Sequence, residues 1–402
     1  MGPDLPASPF RSMLTFVYTE AAFLACFAVV ILNTPAQATT KRAAGLVILG
    51  ATTCVMESII VPLCLTNGRP HWAATVASLL WVQFLSASDL VLVSRVHAGQ
   101  LPRAYHGSGS SRAKAVSSAI GLLWNVRRVR TPWEVKNVPS TAGLQTQSRT
   151  TFVLRRIGVT LLAYIFVDVV VSLPPPDLAM VRPDKATLFS LRGLGVDDII
   201  FRIIMTISYW LTTGILNLFM TNVGAIVSVL LGLSRPVDCP PLYGPFSEAY
   251  SIRRFWGVSW HQMFRCFLTG HASLIVDNLL PFFPRRSAAS RYARLTVAFL
   301  IAGLIHYHAD QLMGVPDAEN GALIFFFLHA AFIMLEDALR PALVALLPTR
   351  IHHAVGCLWV VSLFVWSSPV WTYSGTRLGI DSAALLPVRV VGPWVQRSLG
   401  TA

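Results

Sequence analysis

The chain has 402 residues, 54% of them hydrophobic and 13% charged, about half the roughly 25% charge of a soluble domain. That balance, with its long uncharged apolar runs, excludes a disordered chain, a coiled coil and a disulfide-rich secreted module. It leaves an all-α, polytopic integral membrane protein. The 32 Lys and Arg against 19 Asp and Glu give a charge of +13. In a membrane protein such a surplus gathers on cytosolic loops and on faces that meet anionic lipid, so it points to membrane lipid and not to nucleic acid.

Three apolar runs come first, about Leu14–Leu32, Ala43–Leu65 and Trp72–Val93. Each is long enough to cross a hydrocarbon core of ~30 Å at ~1.5 Å per residue. No basic start followed by a small-residue cleavage site precedes them, so the first run reads as its own insertion signal. These helices form an N-terminal segment, residues 1–94. A basic loop follows over 95–156, holding Arg95, Arg103, Arg112, Lys114, Arg127, Arg128, Arg130, Lys136, Arg149, Arg155 and Arg156 against one acid, Glu134. The positive-inside rule puts this loop in the cytosol, with Lys41 and Arg42 on the same side and the N-terminus in the lumen.

The remaining membrane core, 157–402, opens with a fourth run, Ile157–Leu173, which ends at Pro174-Pro175-Pro176. Ile199–Leu233 is apolar except for Arg202. It is long for one span and short for two with a turn, and is read as one tilted helix. Leu295–Met313, Gly321–Leu335 and Ile351–Val370 complete a count of about eight spans. No internal repeat relates the two halves, which weakens a transporter built on inverted repeats. The six cysteines are scattered without a Cys-x-x-Cys pair, so neither a zinc site nor a disulfide frame is suggested.

Polar residues inside apolar runs are functional candidates because burying them is costly. Glu20, Glu57, Asp89 and Asp168 stand singly, each read first as a helix–helix hydrogen bond or a neutral carboxylic acid and only second as a reactive group. His306 lies in Phe299-Leu300-Ile301-Ala302-Gly303-Leu304-Ile305-His306, where a neutral imidazole can accept a hydroxyl proton. His308 points to another face of that helix, and Asp310, four residues on, is within reach of the His306 ring. A second feature is Arg253-Arg254-Phe255-Trp256-Gly257-Val258-Ser259-Trp260-His261-Gln262-Met263-Phe264-Arg265, whose aromatic and basic residues suit an interfacial helix. The Pro- and Gly-punctuated Cys239–Phe246 leads into it.

Taken in order on a polytopic chain, Arg-Phe-Trp-(x)3-Trp-His-Gln-x-Phe-Arg and then Gly303-Leu304-Ile305-His306 resemble the membrane-bound O-acyltransferase superfamily. More narrowly, the pair is similar to its wax-synthase-like branch, which includes fungal acetyltransferases of secondary metabolism. Leu242-Tyr243-Gly244, Asn125-Val126-Arg127-Arg128, Thr131-Pro132-Trp133 and Glu336-Asp337 extend the likeness. Many superfamily members have Asn where this chain has His261, and the branch often has Ser at the position of Ala302. The His-x-x-x-Asp of His306 to Asp310 also occurs in a soluble CoA-dependent acyltransferase family, but the second motif of that family is absent. The His-(x)4-Asp of glycerolipid acyltransferases is absent too, and His306 with His308 lacks the further ligands of a metal site.

The resemblance implies an enzyme that moves an acyl group, acetyl in the first instance, from acyl-CoA to a hydroxyl of a terpenoid or similar apolar natural product. No bound cofactor or metal is implied; acyl-CoA is a co-substrate, and the endoplasmic reticulum is the expected membrane. His306 falls on the family's catalytic histidine and His261 on its second polar position. Trp256, Trp260, Arg253, Arg254, Arg265 and Asp310 are the expected substrate-binding residues, the arginines suiting the phosphates of CoA. A long-chain wax or sterol ester synthase is the alternative within the class, and a transporter or scaffold without catalysis the alternative outside it.

Overall fold

The structure, a computed structural model, describes residues 9–101, 112–189, 193–346 and 348–400. Arg103, in the basic loop, lies outside the described residues, which are helical with no strand. In chain order the helices are α1 Pro9–Asn33, α2 Thr39–Thr66, α3 Pro70–Ser88, α4 Arg112–Trp124, α5 Arg149–Val170 and α6 Val196–Leu230. The one-turn α7 Ile252–Arg254 follows, then α8 Arg265–Leu279, α9 Ala288–Met313, α10 Ala322–Leu346, α11 Thr349–Arg377 and α12 Gly392–Ser398. α3 runs on into a π turn, Asp89–Val93.

Among the described residues, seven helices are long and apolar enough to cross a membrane: α1, α2, α3, α6, α9, α10 and α11. Seven of the about eight expected runs fall in these helices, and the fourth differs from them in composition. That run forms α5, but the Ser148 hydroxyl accepts the Thr151 N–H at 3.1 Å and starts the helix early, so that it takes in Arg149, Arg155 and Arg156. With Asp168 near its other end, α5 does not reach the apolar composition of the seven. The reading of Ile199–Leu233 as one helix holds, because α6 is unbroken over 35 residues. The Asp198 carboxylate accepts the Gly195 N–H at 2.9 Å to open it, and Gly232, at φ 72°, turns the chain out of it. Its one arginine, Arg202, sits in the second turn and donates to the carbonyls of Lys185 and Thr187 in the preceding loop.

The chain divides into two compact units. The first, Met1–Val135 with Met263–Met313, holds α1 to α4, α8 and α9. Its core gathers Phe23, Phe27, Leu49, Met56, Leu90 and Leu122, each at most 1% exposed. Arg42, also buried, donates to the carbonyls of Thr34, Pro35, Val91 and Val96 at 2.7–3.0 Å, closing the loop ends against one guanidinium. The second unit, Lys136–Gln262 with Gly314–Ala402, holds α5 to α7 and α10 to α12. There the Asp168 carboxylate takes the Arg389 guanidinium at 2.7 Å and the N–H groups of Val390, Val391 and Gly392 at 2.7–3.0 Å. That nest ties the segment before α12 to α5.

Candidate active site

In the first unit, α9 carries His306 among small and apolar neighbours. Ala302, Gly303 and Ile305 are buried, and Ile305 packs with Val82 of α3 and Phe267 of α8. Asp310, one turn beyond His306, is buried as well. His308 takes a different partner: its Nε2 lies 2.5 Å from Glu57 Oε1 of α2, while Glu57 Oε2 accepts the Trp81 indole N–H of α3 at 2.8 Å. Each acid that stood singly in an apolar run has a polar partner elsewhere in the chain. Glu20 accepts from Gln83 at 2.9 Å, Asp89 pairs with Arg128, and Asp168 is held in the nest described above. Gly270 of α8 lies so close to Asp89 that a methyl group there would overlap the carboxylate.

In the second unit, the Trp256 segment departs from the interfacial helix expected to carry the Trp-His-Gln motif. Only α7 and a π turn over Phe255–Ser259 are helical, and Trp260 leaves them in extended backbone (φ −73°, ψ 159°). His261 and Gln262 continue outside any helix. The cause lies in the bonds around the turn. The Trp260 N–H closes on the Phe255 carbonyl at 2.7 Å. The buried Gln262 amide then donates to the carbonyls of Trp256 and Trp260 at 2.9 and 2.6 Å, satisfying groups that a longer helix would have paired. The Pro-Gly lead-in lies alongside: Gly244 N–H donates to Ser259 O at 3.1 Å, and Ser259 Oγ to Pro245 O at 2.9 Å. Gly244 is required, since a Cβ there would overlap the Val258 carbonyl.

The side chains of this segment are held from several elements. Trp256 Nε1–H donates to His329 Nδ1 of α10 at 2.9 Å, and the other ring nitrogen of His329 lies 3.2 Å from Ser367 Oγ of α11. With Nδ1 accepting, His329 carries its hydrogen on Nε2 and donates it to the serine oxygen, which fixes the tautomer. Trp260 is buried, meeting Trp210 edge-on at 5.5 Å and Tyr243 at 5.2 Å, with the His261 ring 5.3 Å from its own. Tyr243 donates its hydroxyl to Gly214 O at 2.8 Å, and burial raises its pKa above the ordinary phenol value.

The arginines differ from one another. Arg253 forms a two-point pair with Asp337 at 3.1 and 2.6 Å. Arg254 pairs with Glu248 and lies over the Tyr250 ring at 4.6 Å. Both charges are therefore already matched by a carboxylate. Glu336 accepts the N–H groups of Ile252 and Arg253 at 2.7 and 3.2 Å, capping the start of α7. The Glu336-Asp337 pair singled out in the sequence thus anchors the Trp256 segment. Arg265 stands at the start of α8, where burial holds its guanidinium pKa below the usual value.

Sequence reasoning missed His329 and Gln262. The signal for His329 was the one that picked out His306, an imidazole inside an apolar helix, in Phe325-Phe326-Phe327-Leu328-His329. Gln262 was visible within the motif, but its bonds to two carbonyls were not.

Residues 239–328 match the model of the membrane bound O-acyl transferase family, a stretch that takes in the Trp256 segment and His306 and stops one residue short of His329. Together with seven helices able to span a membrane among the described residues, that match supports an integral membrane O-acyltransferase. The chain is similar to fungal acetyltransferases. It is 29% identical to acetyltransferase pyr8 of Aspergillus fumigatus, over 96% of this chain and 93% of that one. Acetyltransferase spyB of the same organism is 28% identical over 75% of this chain and 55% of its own length. Acetyltransferase atnC of an Arthrinium species is 29% identical over 71% of this chain and 69% of its own. No solved structure matches the chain.

Proposed function

We propose that this enzyme transfers an acetyl group from acetyl-CoA to a hydroxyl of a terpenoid or similar apolar natural product, at the endoplasmic reticulum membrane. The observation that carries the reading is the family match over 239–328, which includes both motifs, together with relatives named as acetyltransferases. Those names favour acetyl over a long-chain donor, and the hydroxylated terpenoid follows from the likeness to the fungal branch.

In this reading transfer is direct, without an acyl-enzyme. A ring nitrogen of His306 takes the proton of the acceptor hydroxyl as its oxygen attacks the thioester carbonyl. The tetrahedral intermediate then collapses with loss of the C–S bond, and the proton on the imidazolium passes to the departing thiolate. The products are the ester and free CoA. General-base help of this kind supplies ~10²–10⁴-fold. His261 steadies the oxyanion or orients the thioester. Arg265 and, by exchanging their carboxylate partners for phosphate, Arg253 and Arg254 receive the charged end of CoA on the cytosolic side.

The test is release of CoA by membranes carrying the protein, with acetyl-CoA and a panel of terpenoid alcohols, the ester being identified by mass spectrometry. Ester formation that requires the protein supports the reading. Turnover with palmitoyl-CoA but not acetyl-CoA replaces it with the long-chain alternative. Metabolite profiling of a deletion strain then names the acceptor, since the deacetylated alcohol should accumulate.

A further inference from the structure

α9 is the element whose rotation about its own axis decides where His306 points, yet its apolar residues do little to fix that rotation. Leu295 to Ile305 is apolar or small on every side, and a helix that is apolar all round gains nearly the same packing at neighbouring rotations. Lipid chains offer leucines as good a surface as protein does, so polar contacts are what discriminate. One such contact occurs beside His306. His308, two residues on and so about 200° round the helix, meets Glu57 of α2 at 2.5 Å, and Glu57 in turn holds Trp81 of α3 at 2.8 Å. The Trp81 ring stands edge-on to the His308 ring at 6.5 Å between centroids. Three helices of one unit are joined through a single carboxylate.

We propose that Glu57 and Trp81, acting through His308, lock the rotation of α9 and so aim the His306 ring: all three are positioning residues for acyl transfer. The inference rests on the reading of His306 as the base. A side chain ~6 Å from a helix axis moves ~1 Å for a rotation of ~10°, and a misplacement of ~1 Å costs a reaction ~10²-fold. Small slippage is therefore enough to matter. The lock also predicts which substitution at residue 57 is tolerated. In Glu57→Gln the amide oxygen still accepts from Trp81, and the amide NH2 donates to His308 Nε2 once the imidazole takes its other tautomer. Both bonds survive without the charge. Glu57→Ala loses both.

The experiment uses the full chain in reconstituted membranes and reads geometry separately from turnover. Nitroxide labels are placed at Leu79 of α3 and Leu304 of α9, both well exposed, and their distance distribution is measured by pulsed electron resonance. In parallel, kcat and KM are measured with acetyl-CoA and farnesol as the probe alcohol. Expected are one narrow distance in the otherwise native chain and in Glu57→Gln, and a broadened or shifted one in Glu57→Ala and His308→Ala. The latter two variants should lose kcat ~10²-fold with KM for acetyl-CoA within about threefold, while Glu57→Gln keeps most of the turnover. An unchanged distance in Glu57→Ala overturns the lock, and so does a broadened distance with full turnover. A loss in Glu57→Gln equal to that in Glu57→Ala, with the distance unchanged, also overturns it and makes the carboxylate a participant in proton transfer. Failure of the base assignment appears elsewhere, as full turnover in His306→Ala.

Discussion

The two histidine-bearing regions are held in place by opposite means. α9 is a regular helix whose backbone bonds run along its own axis, so the direction of His306 depends on the polar side chain that another helix offers to its neighbour, Glu57 against His308. The Trp256–Gln262 segment has little regular backbone. Its course is set by main-chain groups bonded across a π turn, by Gly244 pressed against Val258, and by the Gln262 amide spanning two carbonyls. A regular helix leaves one soft coordinate, rotation, while an irregular turn leaves almost none once its polar groups are satisfied. The first arrangement is sensitive to distant polar partners, the second to any atom added to its backbone.

Substitutions sharpen the contrast, beginning with the largest effect. His306→Ala should leave the helix and the protein in the membrane intact yet cut turnover at least ~10²-fold. Retained turnover with an inactive His308→Ala would move the base two residues along. His261→Ala should lower kcat by ~10–10²-fold, below the loss from a full oxyanion donor, and His261→Asn should recover part of it. If both match wild type in a CoA-release assay, His261 is an anchor only.

Gly244→Ala tests the rigidity of the irregular segment. The added methyl meets the backbone of Val258 and Ser259, so a loss of ~1–3 kcal/mol is expected, read as a lower melting temperature in detergent. Gly214→Ala is the control. The atoms nearest a Cβ there are the Tyr243 hydroxyl at 3.6 Å and the Trp260 ring at 3.7 Å, ordinary contact distances, and alanine favours the helix by ~0.5–1 kcal/mol. Equal losses at both glycines would contradict the assignment of strain to the turn. Trp256→Phe keeps the ring packing but removes the donor to His329, leaving a buried acceptor at a cost of ~1–2 kcal/mol. An unchanged melting temperature would show that the bond does not hold the segment.

The smallest effect separates two roles of Arg253. As half of a partly exposed ion pair with Asp337, its loss should cost ~0–1 kcal/mol of stability, and Asp337→Ala should cost the same. As a phosphate contact, Arg253→Ala alone should raise the KM for acetyl-CoA about fivefold, the equivalent of ~1 kcal/mol. A KM that moves equally in both variants leaves only the structural pair.

Much of this protein is determined by its sequence alone. Apolar runs of sufficient length become helices because lipid cannot satisfy an unpaired backbone group, and seven of the eight runs formed helices able to span a membrane. The eighth, α5, shows the limit, since a cap at Ser148 drew three arginines into the helix and altered its character. The order of the two motifs pointed to the O-acyl transferase family whose model matches residues 239–328. The partners of the polar residues were decided by tertiary structure. Glu57 and His308 are 251 positions apart, Trp256 and His329 are 73 apart, and no spacing rule links residues on separate helices. The non-helical course of Trp260–Gln262 was likewise hidden, because Trp, His and Gln carry no turn signal. Only the buried carbonyls of Trp256 and Trp260, both bonded by the Gln262 amide, account for it.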